Sequence, residues 1–129
     1  MRALLDTSVV IDPVGADIPA GTRLAISTVT VAELGMGIMH AVDDQERVKR
    51  TINLQRTRAA FEELPVDGAV AEAFVATAVA VQAEGRSHRA RSFDLLIAAT
   101  ALAHDVPLYT RDIKDFLTLR HLIDVRPVG

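Results

Sequence analysis

The first eight residues, Met1-Arg2-Ala3-Leu4-Leu5-Asp6-Thr7-Ser8, decide how the rest of the chain is read. A short apolar run that stops on an acid followed by two small hydroxyl residues is the pattern of a buried strand, Arg2–Leu5, giving way to a turn or helix start. Asp6 then stands at the strand's carboxyl end. Three more acids sit in similar apolar surroundings: Glu33 in Thr28–Leu34, Asp94 in Ser92–Thr100, and Asp112 after Val106–Arg111. Uncompensated carboxylates brought together repel one another and are driven toward protonation, so a cluster of four points to a shared site for a divalent cation.

Between these acids, strands and helices alternate. Pro13, Gly15, Pro19 and Gly21 mark residues 12–21 as a loop or broken helix, and Arg23–Ser27 reads as a second strand. From near Thr30 a helix is expected, since Val31, Leu34, Ile38 and Val42 recur at helical spacing. Asp43-Asp44 breaks that helix or caps a second, antiparallel one. The second helix sets Val48, Ile52 and Ala59 on one side and most of its Arg and Lys on the others, and it stops at Leu64-Pro65-Val66, expected as a short strand. Ala69–Glu84 is a helix ended by Gly85. Arg86–Ser92 is a basic loop, and Phe93–His104 an apolar helix with Ser92 as its N-cap. A buried strand over Val106–Tyr109, a helical turn over Asp112–Leu119 and a last strand over His121–Val125 complete the chain. This alternation predicts an α/β fold with a central, mostly parallel sheet of about four to five strands, whose ligands gather at the carboxyl edge.

The chain has 129 residues, half of them hydrophobic, which suits one domain over 1–129 with a single core. Having no cysteine, it has no disulfide, thiolate zinc site or cysteine nucleophile, and a cytoplasmic location is the simpler expectation. No apolar stretch approaches the roughly 20 residues that span a membrane, so no membrane association is expected. With four Phe, one Tyr and no Trp, a surface built on base stacking is disfavoured, and the net charge of −3 removes any argument from overall basicity to a polyanionic partner. Positive charge is local: Arg47, Lys49, Arg50, Arg56 and Arg58 crowd one segment, and Arg86, Arg89 and Arg91 another. His40, His88, His104 and His121 are scattered without ligand spacing and read as structural or surface residues.

Each acid also has an ordinary explanation. Asp6 fits a helix cap, Thr30-Val31-Ala32-Glu33 fits a capping box in which Glu33 bonds back to Thr30, Asp94 suits a first helical turn, and Asp112 with Asp115 fits turn chemistry. The four together, in their order and contexts, outweigh these single accounts.

Four segments carry a resemblance that covers nearly the whole chain: Leu4-Leu5-Asp6-Thr7-Ser8-Val9-Val10-Ile11-Asp12, Ser27-Thr28-Val29-Thr30-Val31-Ala32-Glu33-Leu34, Phe93-Asp94-Leu95-Leu96-Ile97-Ala98-Ala99-Thr100-Ala101, and Leu108-Tyr109-Thr110-Arg111-Asp112-Ile113-Lys114-Asp115-Phe116. In this order they resemble a PIN domain of the VapC type, the toxin ribonucleases of bacterial and archaeal toxin–antitoxin pairs. The resemblance implies a PIN-like α/β/α sandwich and Mg²⁺-dependent hydrolysis of RNA phosphodiester bonds, with Mn²⁺ able to substitute. It implies Asp6, Glu33, Asp94 and Asp112 as the catalytic acids, with Asp6, Asp94 and Asp112 holding metal. Many relatives have Asn in place of Asp112 and keep an acid at the place of Asp115, so either is the closer ligand. Thr7, Ser8 and Thr110 are the expected pocket hydroxyls. Arg86, Arg89, Arg91 and then Arg111 are the candidates for RNA contact. The expected partners are RNA, a VapB-type antitoxin and a second copy of the chain. Met36, Ile38 and Met39 are either lining for an antitoxin groove or, the favoured reading, core.

Three other readings are weighed. A PIN-fold nuclease outside a toxin–antitoxin pair is disfavoured by the compact length, and a catalytically silent RNA-binding module by the presence of all four acids. A phosphoacceptor domain ranks low because Asp6 has no adjacent acid and Lys114 lies in a turn.

Overall fold

The computed structural model describes residues 1–87 and 89–128, so the expectation for His88 lies outside the described residues. In chain order the elements are β1 (Arg2–Leu5), α1 (Thr7–Ile11), β2 (Arg23–Ser27), α2 (Thr28–Met39), α3 (Asp44–Ala60), β3 (Glu62–Leu64), α4 (Gly68–Ala83), a 3₁₀ turn (Arg89–Arg91), α5 (Ser92–His104), β4 (Leu108–Thr110), a second 3₁₀ segment (Ile113–Leu119) and β5 (Val125–Pro127). The five strands form one sheet in the order β3-β2-β1-β4-β5, and every pairing is parallel.

β1 lies at the centre because it is apolar on both faces. Leu4 pairs with Ala25 and Leu108, Leu5 with Ile26 and Tyr109. Strand alternation sends Leu4, Ala25 and Leu108 to one face, where they pack with Val81, Leu95, Ala98, Ala101 and Phe116. Ala3, Leu5, Ile26 and Tyr109 go to the other face and meet Val9 and Val31. The middle of helix α5 is mostly apolar because it is buried: Leu95, Ile97, Ala98, Ala99 and Ala101 are sealed from solvent.

The chain leaves β1 toward β2 and β3 on one side, then crosses to β4 and β5 on the other. Strand order therefore reverses between β1 and β4, the place where open α/β sheets form a ligand crevice outside the carboxyl ends. Asp6 follows β1 there, and Thr110 ends β4.

Several local expectations need correction. Helix α2 begins at Thr28, not near Thr30, because the Ser27 side chain accepts from the Val29 N–H and caps it. Asp43 does cap α3, accepting from Glu46 N–H at 2.8 Å. The strand expected at Leu64-Pro65-Val66 lies at Glu62–Leu64, ahead of the proline that has no N–H for a ladder. Ser92 lies inside α5 rather than capping it, and its hydroxyl donates to the Arg89 carbonyl. The strand expected at His121–Val125 is displaced to Val125–Pro127, since Leu122 and Ile123 donate back to the Leu119 carbonyl and prolong a turn. Met36 and Met39, favoured as core, are 44% and 75% exposed.

Candidate active site

Asp6 occupies the N-cap position of α1, yet its side chain makes no capping bond. It is 4% exposed. Its Oδ2 accepts from Ser8 Oγ at 2.9 Å and from Thr110 Oγ1 at 2.8 Å, while Oδ1 has no donor among the described residues. Each hydroxyl is itself oriented by a backbone donor: Arg111 N–H bonds Ser8 Oγ at 3.1 Å, and Asp112 N–H bonds Thr110 Oγ1 at 2.9 Å. The β4–3₁₀ turn thus aims two hydroxyl protons at one carboxylate oxygen and leaves the other oxygen's lone pairs open.

The capping box expected at Thr30 and Glu33 does not form. Thr30 is buried within α2, and its Oγ1 lies 2.9 Å from Thr7 Oγ1, which donates in turn to Glu33 Oε1 at 2.8 Å. Glu33 is thereby bound to α1 instead of to its own helix. Its carboxyl is raised above the ordinary range by burial, against the lowering effect of the Thr7 bond, and the Asp6 charge raises it further.

Asp94, in the first turn of α5, is raised to about 6 by burial and then by the charge of Asp6, with Arg91 opposing and Glu33 and Asp115 adding smaller upward pushes. Arg91 Nε stands 3.9 Å from Asp94 Oδ2, and the guanidinium lies 6.0 Å from the centre of the Phe116 ring. Both terminal nitrogens of Arg91 are buried without a hydrogen-bond partner among the described residues. The repulsion felt at Asp94 joins Asp6, Glu33, Asp94 and Asp115 into one electrostatic group drawn from four separate segments. Asp112 is not among the charges acting on Asp94. It is exposed, and its main chain orients Thr110 and accepts from Asp115 N–H at 2.9 Å.

The PIN-domain family model matches residues 3–121. The chain belongs to the PIN-domain family. Ribonuclease VapC4 of Mycobacterium tuberculosis is 36% identical over 118 residues, covering 86% of this chain and 86% of that protein. Ribonuclease VapC5 of the same organism is 36% identical over 97 residues, covering 75% of this chain and 69% of that protein. Among solved structures, a chain of VapBC-5, a toxin–antitoxin system of Mycobacterium tuberculosis, superposes with a TM-score of 0.80 at 34% identity, covering 98% of this chain and 97% of that one. FitAcB from Neisseria gonorrhoeae gives a TM-score of 0.74 at 25% identity, with 97% and 96% covered.

For this PIN domain the donor set suits a hard dication. It consists of carboxylate and hydroxyl oxygens, with Asp6 Oδ1 open and two carboxyls raised by burial and further by the Asp6 charge, a repulsion that a cation would offset. Among the described residues no three His, Cys, Asp or Glu side chains are drawn together tightly enough to enclose an ion.

The expected cations fare unequally. Arg111 donates from Nε to the Asp12 carbonyl at 2.6 Å and from its terminal amino group to the Val14 carbonyl, so it clamps the loop after α1. Arg91 turns inward to Asp94, while Arg86 and Arg89 are exposed. Sequence reading passed over Thr30 as a link in the site, because its place in a capping-box pattern hid its tertiary bond to Thr7. No helix among the described residues is long and apolar enough to cross a membrane.

Proposed function

We propose that this PIN domain is the toxin of a type II toxin–antitoxin pair and cleaves RNA internally by Mg²⁺-dependent hydrolysis, with Mn²⁺ able to substitute. PIN-domain ribonucleases of the VapC kind are metal-dependent in general. The observation that carries the reading is the electrostatic coupling of Asp94 to Asp6, Glu33 and Asp115, with Asp6 at the β1–β4 crevice, in a chain 36% identical to a ribonuclease.

Asp6 and Asp94 would hold the metal, with Asp115 closer to it than Asp112. When bound, the ion lowers the pKa of water and offsets charge on the phosphodiester oxygens. The residues supply orientation and proton handling. Ser8 and Thr110 fix Asp6 Oδ2, so that Oδ1 is presented to the crevice. Thr7 fixes Glu33 Oε1, and the remaining oxygen, Oε2, orients the attacking water and accepts its proton. Elevation of the Glu33 carboxyl above the ordinary range brings it nearer to neutral operating pH and favours that task.

The VapBC-5 structure, 34% identical to this chain, supports a VapB-type antitoxin as partner, and we extend the proposal to a homodimer. The reading is tested by cleavage of labelled cellular RNA with Mg²⁺, Mn²⁺ or EDTA, using the wild type, Asp6→Asn and Asp94→Asn. Cleavage at defined sites, abolished by EDTA and by either substitution, is expected. Cleavage that persists in EDTA or in both variants would overturn the assigned site.

A further inference from the structure

A groove of about 590 Å³ lies beside the acid cluster, walled by α1 and α2 on one side and α3 on the other, with Glu33 in its lining. Arg50 Nη1 donates to the Gly37 carbonyl at 2.6 Å and ties the two helices together. Since α2 and α3 pack as consecutive helices joined by residues 40–43, one turn back along α2 from Gly37 to Glu33 corresponds to one turn forward along α3, toward Asn53 and Arg56. The cationic helix therefore leads to the acids.

The cations of α3 divide into two sets. Arg47 pairs with Asp44, Arg50 with Glu46, and Arg58 with Glu63. Lys49 and Arg56 are exposed, have no hydrogen-bond or ion-pair partner among the described residues, and both line the groove. With Asn53 between them they fall at i, i+4 and i+7, one face of the helix, about 10 Å from end to end. Ile11, Pro13 and Leu34 give the groove an apolar wall.

We infer that this groove seats the single-stranded RNA beside the scissile bond, with Lys49 and Arg56 each holding a phosphate and the apolar wall receiving a base. This inference rests on the ribonuclease reading. A cluster of carboxylates repels a polyanion, so the substrate needs uncommitted positive charge next to the cluster. Arg91 and Arg111 are engaged within the fold, whereas Lys49 and Arg56 are exposed and have no partner among the described residues. An unpaired strand fits better than a duplex, because only unstacked bases can turn onto an apolar wall while the backbone follows a cationic one.

The test is binding of a fluorescent random-sequence single-stranded RNA in EDTA across a salt series, by the wild type, Lys49→Gln/Arg56→Gln and the charge-keeping Lys49→Arg/Arg56→Lys, with thermal melting as the folding control. The neutral pair is expected to bind at least tenfold more weakly, with a salt slope shallower by about 1.4, as for two lost phosphate contacts, and the charge-keeping pair to bind as wild type. With Mg²⁺ the neutral pair raises KM for cleavage while kcat changes less than threefold. Unchanged affinity and slope in the neutral pair would overturn the inference. So would intact RNA binding combined with lost inhibition by an antitoxin, which would make the groove a peptide site. RNA binding that depends on both cations, with no cleavage by the wild type in any metal, would support the groove and sink the ribonuclease reading.

Discussion

Thr110 Oγ1 donates to Asp6 Oδ2 at 2.8 Å across 104 positions of sequence, tying the end of β4 to the end of β1 at the point where the sheet's strand order reverses. The same hydroxyl accepts from Asp112 N–H. Replacing it with a methyl in Thr110→Val leaves a buried carboxylate short of a donor and an amide short of an acceptor. The expected cost is about 1–3 kcal/mol in urea unfolding, with cleavage reduced at least tenfold, and Thr110→Ser should recover most of both. A Thr110→Val variant as stable and active as wild type would show that the bond organises nothing.

Asp94 sets a pH dependence. Its carboxyl is at about 6 in the folded chain against 3.8 unfolded, so the folded state binds the extra proton between those values. Such a group favours folding below the unfolded value, and that contribution is lost as pH rises through about 6. Metal-free protein should therefore lose this part of its stability between pH 4 and pH 7, Glu33 contributing in the same direction. Mg²⁺ should offset the loss at pH 7 and do little near pH 4, where protonated carboxyls do not bind it. Urea midpoints in EDTA and in Mg²⁺ across this range test the point, with Asp94→Asn expected to flatten the metal-free curve.

Asp112 and Asp115 should separate by substitution. Asp112 serves Thr110 through its main chain, which Asp112→Asn retains, whereas the Asp115 carboxylate acts on Asp94. Asp115→Asn is expected to raise the Mg²⁺ concentration for half-maximal cleavage several-fold more than Asp112→Asn. The reverse order in a Mg²⁺ titration would return Asp112 to the metal.

Much of this arrangement was legible in the sequence, because a buried strand has a strong signature where its apolar run stops. Asp6 was placed at the end of β1 for that reason. The failures occur where two local rules compete. Thr30 and Glu33 satisfy the capping-box spacing, but Ser27, ending β2, had already capped the helix, freeing Glu33 for Thr7. His121–Val125 has apolar residues suited to a strand, yet its first amides turn back to Leu119, and pairing starts only at Val125. The distinction between Lys49 and Arg56 on one hand and Arg47, Arg50 and Arg58 on the other depends on which acids three-dimensional packing places within reach, which spacing alone does not reveal.

Arg91 offers the last prediction. Its guanidinium is largely withdrawn from water, with two nitrogens that have no hydrogen-bond partner among the described residues and a long contact to Asp94, so desolvation counts against it while its cation faces the Phe116 ring. Arg91→Met keeps an apolar stem of similar reach and removes the buried charge. Its unfolding free energy is expected within about 1 kcal/mol of wild type, whereas Arg91→Ala also loses the packing and should be less stable than Arg91→Met. Because Arg91 opposes the rise of Asp94, both substitutions should move the Asp94 carboxyl upward, so Mg²⁺ binding should weaken on acidification from a higher pH than in wild type. Calorimetric Mg²⁺ titrations at several pH values would show this. An unshifted pH dependence in both variants would mean that Arg91 serves packing alone.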